Sequence, residues 1–226
     1  MSVKVKICGI TRLEDALIAT EAGADYLGFI LWPHSKRAVS AQAARAITVA
    51  LRQRGDCPTL VGVFVDRNAD ETARVLDECG LDLAQLSGQE PPSQVGDPQS
   101  PLYGRSYKAL RPQTLAEAEA EAEWYAPTQP APGQPGLLLD AYHPTLPGGT
   151  GRTTDWSMAA QLRESVPGLM LAGGLTPDNV VRAVAQVRPF AVDVASGVEA
   201  GPGIKDAEKV RRFIQRAKEG AGGIDG

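Results

Sequence analysis

The chain has 226 residues, of which 43% are hydrophobic and 22% are charged, an ordinary balance for a globular protein with a sizeable core. A net charge of −4 provides no basic surface for nucleic acid. No apolar run approaches a membrane span and the N-terminus lacks a signal-peptide core, so we expect a cytoplasmic protein without nucleic-acid or membrane partners. Three cysteines and two histidines, without CxxC or histidine spacing, argue against a disulfide framework or a metal site.

The first predicted strand ends at a cysteine. In the run VKVKI, residues 3–7, apolar side chains alternate with lysines, which is typical of a β-strand. Cys8 follows at the mouth of this strand, Gly9 permits a turn, and Thr11 is suited to cap a helix that starts at Arg12. A thiol at this position is either a small buried side chain or a group with a chemical role, and the pattern alone leaves both open.

Seven more strands follow, each separated from the next by a helix or by a segment long enough for one. The eight predicted strands are 3–7, 25–31, 59–65, 81–86, 106–110, 136–140, 169–172 and 190–194. Six helices are predicted most clearly. One begins after a cap at Ser40, one ends at Gly80 and one covers 114–124. The other three start near Thr154, start at Thr176 and cover 206–218. Prolines in 91–101 leave room for only a short or irregular fourth helix.

Eight strand–helix units in roughly 200 to 250 residues correspond to one TIM barrel, an α/β fold of (β/α)8 type. A flavodoxin-like sheet would be complete after five strands. We therefore predict a single domain over residues 1–226, with a flexible tail from about residue 219 that has nothing to bury.

The ends of strands seven and eight are built from small residues. Gly173 and Gly174 follow strand seven, Ser196 and Gly197 follow strand eight, and each pair precedes a helix start. Small residues let a ligand approach the backbone, and free N–H groups at a helix start attract an anion. The alternative is that these residues only form turns. Their pairing at the two positions that usually bind phosphate in this fold favours a phosphate site.

Cys8 and Asp140 are the two strand-end groups most able to act as a base and an acid. A free thiol has a pKa of about 8.5 and a free aspartate one of about 3.9, so both roles require shifted values. A positive neighbour would lower the first, and desolvation would raise the second. Arg37 or Lys36 could supply that charge or bind an acidic substrate group. The plainer alternatives are a buried thiol, a loop-capping carboxylate and a solvated arginine.

Several motifs, taken in chain order, resemble the phosphoribosylanthranilate isomerase family. They are KVKICGIT, GADYLGFI, SKRAVS, VGVFVD, LLLD followed by GGTGRTTDW, LAGGLTPDNV and AVDVASGVEAGPGIKD. The resemblance covers nearly the whole chain and implies a TIM barrel that acts in tryptophan biosynthesis. It implies an Amadori rearrangement of N-(5-phosphoribosyl)anthranilate to the 1-deoxyribulose phosphate derivative, with no metal or organic cofactor. A phosphorylated small molecule would be the partner of a monomer or a homodimer.

The resemblance also implies roles for individual residues. Cys8 would be the general base, Asp140 the general acid, and Arg37 the contact to the anthranilate part of the substrate. Asp193, in the VDV strand, would face the site. The positions that would hold the phosphate are Gly173, Gly174, Ser196 and Gly197.

One motif departs from the family. Where the family commonly reads QLHG at the end of strand four, this chain reads QLSG, with Ser87 in the histidine position. This change leaves open whether the fourth strand end orients the substrate or tunes Cys8. Two other functions are alternatives to this one. A sugar-phosphate isomerase of histidine biosynthesis typically has aspartate where this chain has Cys8. A barrel that binds a phosphorylated ligand without turnover is favoured only by Ser87.

Overall fold

The computed structural model describes residues 2–127, 133–141 and 154–222, and its central feature is a closed barrel of eight parallel strands. The strands pair in chain order, and the eighth closes onto the first, with Lys6 opposite Asp193. The strands are β1 Lys4–Cys8, β2 Tyr26–Ile30, β3 Thr59–Phe64, β4 Leu83–Leu86, β5 Ser106–Leu110, β6 Leu137–Leu139, β7 Leu169–Leu171 and β8 Ala191–Val194. The predicted TIM barrel is confirmed, and every strand lies within two residues of its predicted bounds.

Helices follow the strands along the chain. They are α1 Leu13–Glu21, α2 Ala41–Arg52, α3 Ala69–Cys79, α4 Ser93–Gly96, α5 Leu115–Tyr125, α6 Trp156–Ser165, α7 Val180–Val187 and α8 Ala207–Gly222. As the prolines predicted, α4 is only four residues long. Across the described ranges, no helix is both long and apolar enough to cross a membrane.

Side-chain caps explain where several helices begin and end. Ser40 accepts a hydrogen bond from the Ala43 amide at the start of α2, as predicted. Asn68 and Thr114 cap α3 and α5 in the same way. Gly80 ends α3 in the left-handed conformation, with φ 66°, which glycine adopts without strain.

Three helix boundaries differ from the prediction. Thr11 does not cap α1, which begins at Leu13 with Arg12 in the N-cap position; the Thr11 hydroxyl donates to the Gly203 carbonyl at 2.5 Å. Thr176 accepts from the Asp178 amide at 3.3 Å, but this bond forms a turn, and regular α7 begins only at Val180. The last helix continues to Gly222 rather than ending at residue 218, and residues 223–226 lie outside the described part.

A short hairpin after β8 was not predicted. A 3-10 helix, Ser196–Val198, leads into two antiparallel strands, β9 Glu199–Gly201 and β10 Ile204–Lys205. Strands of two or three residues carry too little alternation to be recognised in a sequence. The hairpin is anchored to the barrel because the Lys205 ammonium donates to the Cys8 carbonyl at 2.6 Å.

The barrel interior is apolar in its lower part, toward the N-terminal ends of the strands, and polar toward their C-terminal ends. Apolar residues and two tyrosines fill its lower part, and a separate apolar layer packs between the barrel and the helices. The interior cluster contains Tyr26, Val61, Leu83, Tyr107, Leu138, Met170 and Ala191. Lys6, Gln85 and Asp193 are also buried, and the Lys6 ammonium donates to both of the others inside the barrel. Buried polar groups of this kind must be paired. They lie near the C-terminal ends of the strands, where functional residues of this fold are located.

Candidate active site

The C-terminal ends of the strands open into a cavity of about 910 Å³, a volume that includes solvent space at its mouth. All eight residues predicted for the site line this one cavity. They are Cys8, Arg37, Asp140, Gly173, Gly174, Asp193, Ser196 and Gly197. Trp32, Ser87 and Arg111 line it as well. Within the described residues, no group of three or more histidine, cysteine or acidic side chains is arranged to hold a metal ion.

Cys8 is the last residue of β1 and is 5% exposed. Its register partner on β2 is Gly28, where an added Cβ would lie 2.7 Å from the Cys8 Sγ atom. The Gly28 carbonyl also accepts the amides of Gly9 and Ile10, both at 2.9 Å, and so holds the turn that follows the thiol. Glycine on the neighbouring strand therefore provides the space that the thiol occupies.

Lys6 lies two residues before Cys8 on β1, with its side chain fully buried. Its Nζ atom donates to Gln85 Oε1 at 2.8 Å and to Asp193 Oδ1 at 3.0 Å. Burial favours the neutral amine, but the negative charges of Asp193 and of an ionised Cys8 outweigh it and raise the pKa of Lys6. Lys6 is therefore a buried ammonium at neutral pH. The motif reasoning missed it because lysines that alternate with apolar residues usually face water.

A simple thiolate base would require a Cys8 pKa below the ordinary value of a thiol, and the structure gives the opposite. Burial raises the pKa of Cys8 above its ordinary value, and the charge of Asp193 raises it further. Lys6 is the main group that opposes this rise, followed by Lys205. The positive neighbours at the thiol are therefore mainly these two lysines, whereas Lys36, one of the two predicted candidates, is exposed.

Asp140 follows β6, and its Oδ1 atom accepts a hydrogen bond from the Ala141 amide at 2.8 Å. Burial raises the pKa of Asp140 to about 6, although the Ala141 amide and the positive charges of Arg111 and Lys6 oppose the rise. A carboxyl group with a pKa near neutrality is suited to give up a proton during catalysis. The desolvation that the sequence reasoning required for an acid at this position is present.

Arg37 is held in place by a carboxylate on the β9–β10 hairpin. Its Nε and Nη2 atoms donate to the two carboxylate oxygens of Glu199 at 2.7 and 2.8 Å. Glu199 also accepts from the Lys205 ammonium and the Gly203 amide, each at 3.2 Å. The aliphatic part of Arg37 packs over Gly9, where an added Cβ would lie 2.8 Å from the arginine Cδ. Such a bidentate pair fixes the guanidinium plane at the cavity wall.

The loops after β7 and β8 are packed too tightly for larger side chains. An added Cβ at Gly197 would overlap the Leu175 carbonyl oxygen, and one at Gly173, with φ 88°, would overlap the Thr154 hydroxyl. The side-chain amide of Asn179 donates to the Gly174 carbonyl at 2.9 Å. The two loops therefore pack against each other and present their backbone to the cavity, as an anion site requires.

The comparisons with known proteins agree with this geometry. Residues 5–216 match the family model described as N-(5'phosphoribosyl)anthranilate (PRA) isomerase. The N-(5'-phosphoribosyl)anthranilate isomerase of Geobacter sp. (strain M21) is 45% identical over 96% of this chain and 98% of that protein.

Two solved structures show the same architecture. One, described as monomers of the dimeric phosphoribosylanthranilate isomerase of Thermotoga maritima, has a TM-score of 0.77 and 38% identity, and the match covers 96% of this chain and 99% of that one. The other is phosphoribosyl anthranilate isomerase in complex with reduced 1-(o-carboxyphenylamino)-1-deoxyribulose 5-phosphate. It has a TM-score of 0.77 and 36% identity, with the same coverage of the two chains.

Proposed function

The chain belongs to the N-(5'-phosphoribosyl)anthranilate isomerase family, and from that premise we propose how its own residues carry the reaction. The enzyme converts N-(5'-phosphoribosyl)anthranilate to 1-(2-carboxyphenylamino)-1-deoxyribulose 5-phosphate in tryptophan biosynthesis. One observation supports the assignment of roles most strongly. Cys8 and Asp140 line the same cavity, and burial raises the pKa of Asp140 into the range of an effective acid.

Asp140 acts first, as the general acid. Its carboxyl proton goes to the ring oxygen of the ribosyl group, and the bond between C1′ and that oxygen breaks with its electron pair on the oxygen. The lone pair of the anthranilate nitrogen forms the C1′=N double bond of an iminium ion. A carboxyl group held partly protonated by burial lowers the barrier to this ring opening.

Cys8 acts second, as the general base. Its thiolate removes the proton from C2′, and the electron pair forms a C1′=C2′ double bond while the iminium pair returns to nitrogen. The resulting enolamine becomes the ketone when C1′ gains a proton and the 2′ hydroxyl loses one. Proton exchange with solvent then restores the Asp140 acid and the Cys8 thiolate.

The protonation states of this pair have a consequence for the pH dependence. Because burial raises the pKa of Cys8 above its ordinary value while that of Asp140 is about 6, the free enzyme at neutral pH holds mainly a thiol and a carboxylate. The reactive form, a thiolate with a carboxylic acid, is a minor form with the same number of protons. The ratio of the two forms does not change between the two pKa values.

The two anionic ends of the substrate are assigned to the two sides of the cavity. The phosphate is placed at the tightly packed loops that contain Gly173, Gly174, Ser196 and Gly197. The anthranilate end is placed at Arg37, whose guanidinium is already oriented by Glu199. Asp193 lines the floor of the cavity, where its carboxylate is paired with the Lys6 ammonium.

The decisive assay follows the loss of substrate fluorescence with purified protein, and in parallel offers the aminoaldose substrate of histidine biosynthesis. We expect turnover of phosphoribosylanthranilate. Cys8→Ser and Asp140→Asn should each lower kcat by about 10²- to 10⁴-fold, the usual contribution of a general base or acid. Cys57→Ser, which changes a partly buried thiol outside the cavity lining, is the matched control. Unchanged fluorescence would indicate a binding protein, preference for the second substrate a different isomerase, and near-full activity of both variants a wrong assignment of roles.

A further inference from the structure

We propose that Lys6 is a positioning residue that keeps a fixed ammonium beneath the Cys8 thiol, and that Gln85 and Ser87 hold it there. The proposal rests on the proposed function, in which Cys8 is the base. It assigns a role to three residues for which the motif resemblance gave none, including the serine that stands at the family's usual histidine position.

The first step of the argument is the geometry of β1. Side chains two residues apart on a strand point to the same side, so Lys6 lies directly below Cys8 inside the barrel. The charge of Lys6 is the largest influence that lowers the pKa of the Cys8 thiol against its burial. A fully buried ammonium is tolerated only when it is paired, and Asp193 and Gln85 provide that pairing at 3.0 and 2.8 Å. The ammonium is therefore confined to one position.

The second step is the orientation of the Gln85 side chain. An ammonium only donates hydrogen bonds, so the amide must turn its oxygen toward Lys6. The same oxygen accepts from the Tyr107 hydroxyl at 3.1 Å. The amide nitrogen then points to Ser87, whose Oγ atom accepts its hydrogen bond at 3.2 Å. Ser87, at the cavity wall, thus fixes the amide that fixes Lys6.

The third step is the balance of charge around the thiol. The groups that influence it are Lys6 and Asp193 from the barrel interior, Lys205 from the hairpin, Arg37 from the β2 loop, and Tyr107 from β5. Arg37 and Lys205 share a carboxylate of their own, Glu199. The Lys6 ammonium is paired with the Asp193 carboxylate, and its second partner, Gln85, is uncharged. Replacing Gln85 by an acid would therefore change the field at the thiol directly.

The test is a direct titration of Cys8 by ultraviolet thiolate absorbance, taken as the difference between each protein and its Cys8→Ser form. Gln85→Glu places a second carboxylate against Lys6. We expect it to raise the midpoint of the Cys8 titration by about one pH unit, which is a tenfold loss of thiolate at a given pH. On the same basis, kcat should fall about tenfold while KM stays near its original value. The new carboxylate also acts on the thiol by its own charge, so the role of Lys6 itself is read from Lys6→Met, whose titration a purely structural role would not move.

Lys6→Met removes the ammonium and should raise the Cys8 midpoint further. Its control is Lys4→Met, which removes the same charge from the same strand at the other end of the barrel, where Lys4 donates to the Gly133 carbonyl. Ser87→Ala should shift the midpoint in the same direction by less. Because Lys6→Met leaves Asp193 unpaired and threatens folding, circular dichroism is recorded for each variant, and Gln85→Glu supplies the test if Lys6→Met is unfolded.

An unchanged Cys8 midpoint in folded Gln85→Glu or Lys6→Met protein would overturn the proposal, and an unchanged midpoint in Ser87→Ala would remove Ser87 from it. A shift in Lys4→Met equal to that in Lys6→Met would also overturn it. The titration needs no turnover. Failure here is therefore distinct from failure of the proposed function, which would show as activity retained in Cys8→Ser.

Discussion

Asp140→Asn is expected to lower kcat by about 10²- to 10⁴-fold and to stabilise the folded enzyme at the same time. Burial holds the pKa of Asp140 at about 6, against about 3.9 for an aspartate in an unfolded chain. The ionised carboxylate is therefore disfavoured in the fold, and an amide carries no such penalty. Two pKa units correspond to about 3 kcal/mol of unfolding free energy. This value is an upper limit, because the side chain is partly exposed to cavity water.

The pH dependence of that gain has a definite sign. Because the folded pKa of Asp140 is raised, its contribution to stability is fully present below the unfolded pKa and is lost as the pH rises through about 6. The asparagine variant suffers no such loss. The difference between the two proteins should therefore be small near pH 4 and should reach its full size above about pH 7.

The assay is urea unfolding of both proteins at about pH 4 and about pH 7.5, with the free energies compared at equal m values. Glu119→Gln, which changes an exposed carboxylate on α5, is the control and should alter stability little at either pH. An Asp140→Asn protein that is less stable than the wild type at about pH 7.5 would refute the reasoning. A gain of equal size at both pH values would refute it as well.

Three further substitutions test the walls of the cavity. Gly28→Ala puts a methyl group 2.7 Å from the Cys8 Sγ atom, so the thiol must move. In a protein that still folds, kcat should fall at least about tenfold, and a retained kcat would contradict the packing. Glu199→Gln weakens the ion pair that orients Arg37. Steady-state kinetics should show KM raised about tenfold with a smaller change in kcat. An unchanged KM would mean that Arg37 does not need Glu199 to orient it. Gly197→Ala overlaps a carbonyl oxygen of the β7 loop, so inorganic phosphate should become a weaker competitive inhibitor; undiminished inhibition would place the phosphate elsewhere.

The barrel could be predicted because its strands are apolar, short and separated by helix-length segments. Strand bounds were close for that reason, even where only three residues form the strand, as in Leu137–Leu139. The β9–β10 hairpin was not predicted, since its strands are too short to show a period. Its residues Glu199 and Lys205 lie within a recognised motif, but only the fold shows that they contact Arg37 and the Cys8 carbonyl.

The site residues could be predicted from motifs, but the electrostatics of Cys8 could not. The alternation of lysines with apolar residues at the start of the chain indicates a strand with one face exposed to solvent. In the closed barrel, however, the lysine side of β1 faces the interior. Lys6 therefore lies beneath the thiol, close to Asp193 from the far end of the chain. The sequence offered Arg37 or Lys36 as a positive charge for Cys8 but not Lys6, because the closure of β8 onto β1 is not visible along the chain.

The most direct test of the account is the pH dependence of kcat/KM for phosphoribosylanthranilate. If a Cys8 thiolate and an Asp140 carboxylic acid are both required, kcat/KM should be constant from about pH 6 up to the raised pKa of Cys8, and should fall outside that range. The low-pH limb then lies at the pKa of Asp140 rather than at that of the thiol. A rate that instead rises about tenfold per pH unit between pH 6 and pH 8 would show that only the thiolate is needed. That result would contradict the paired acid and base.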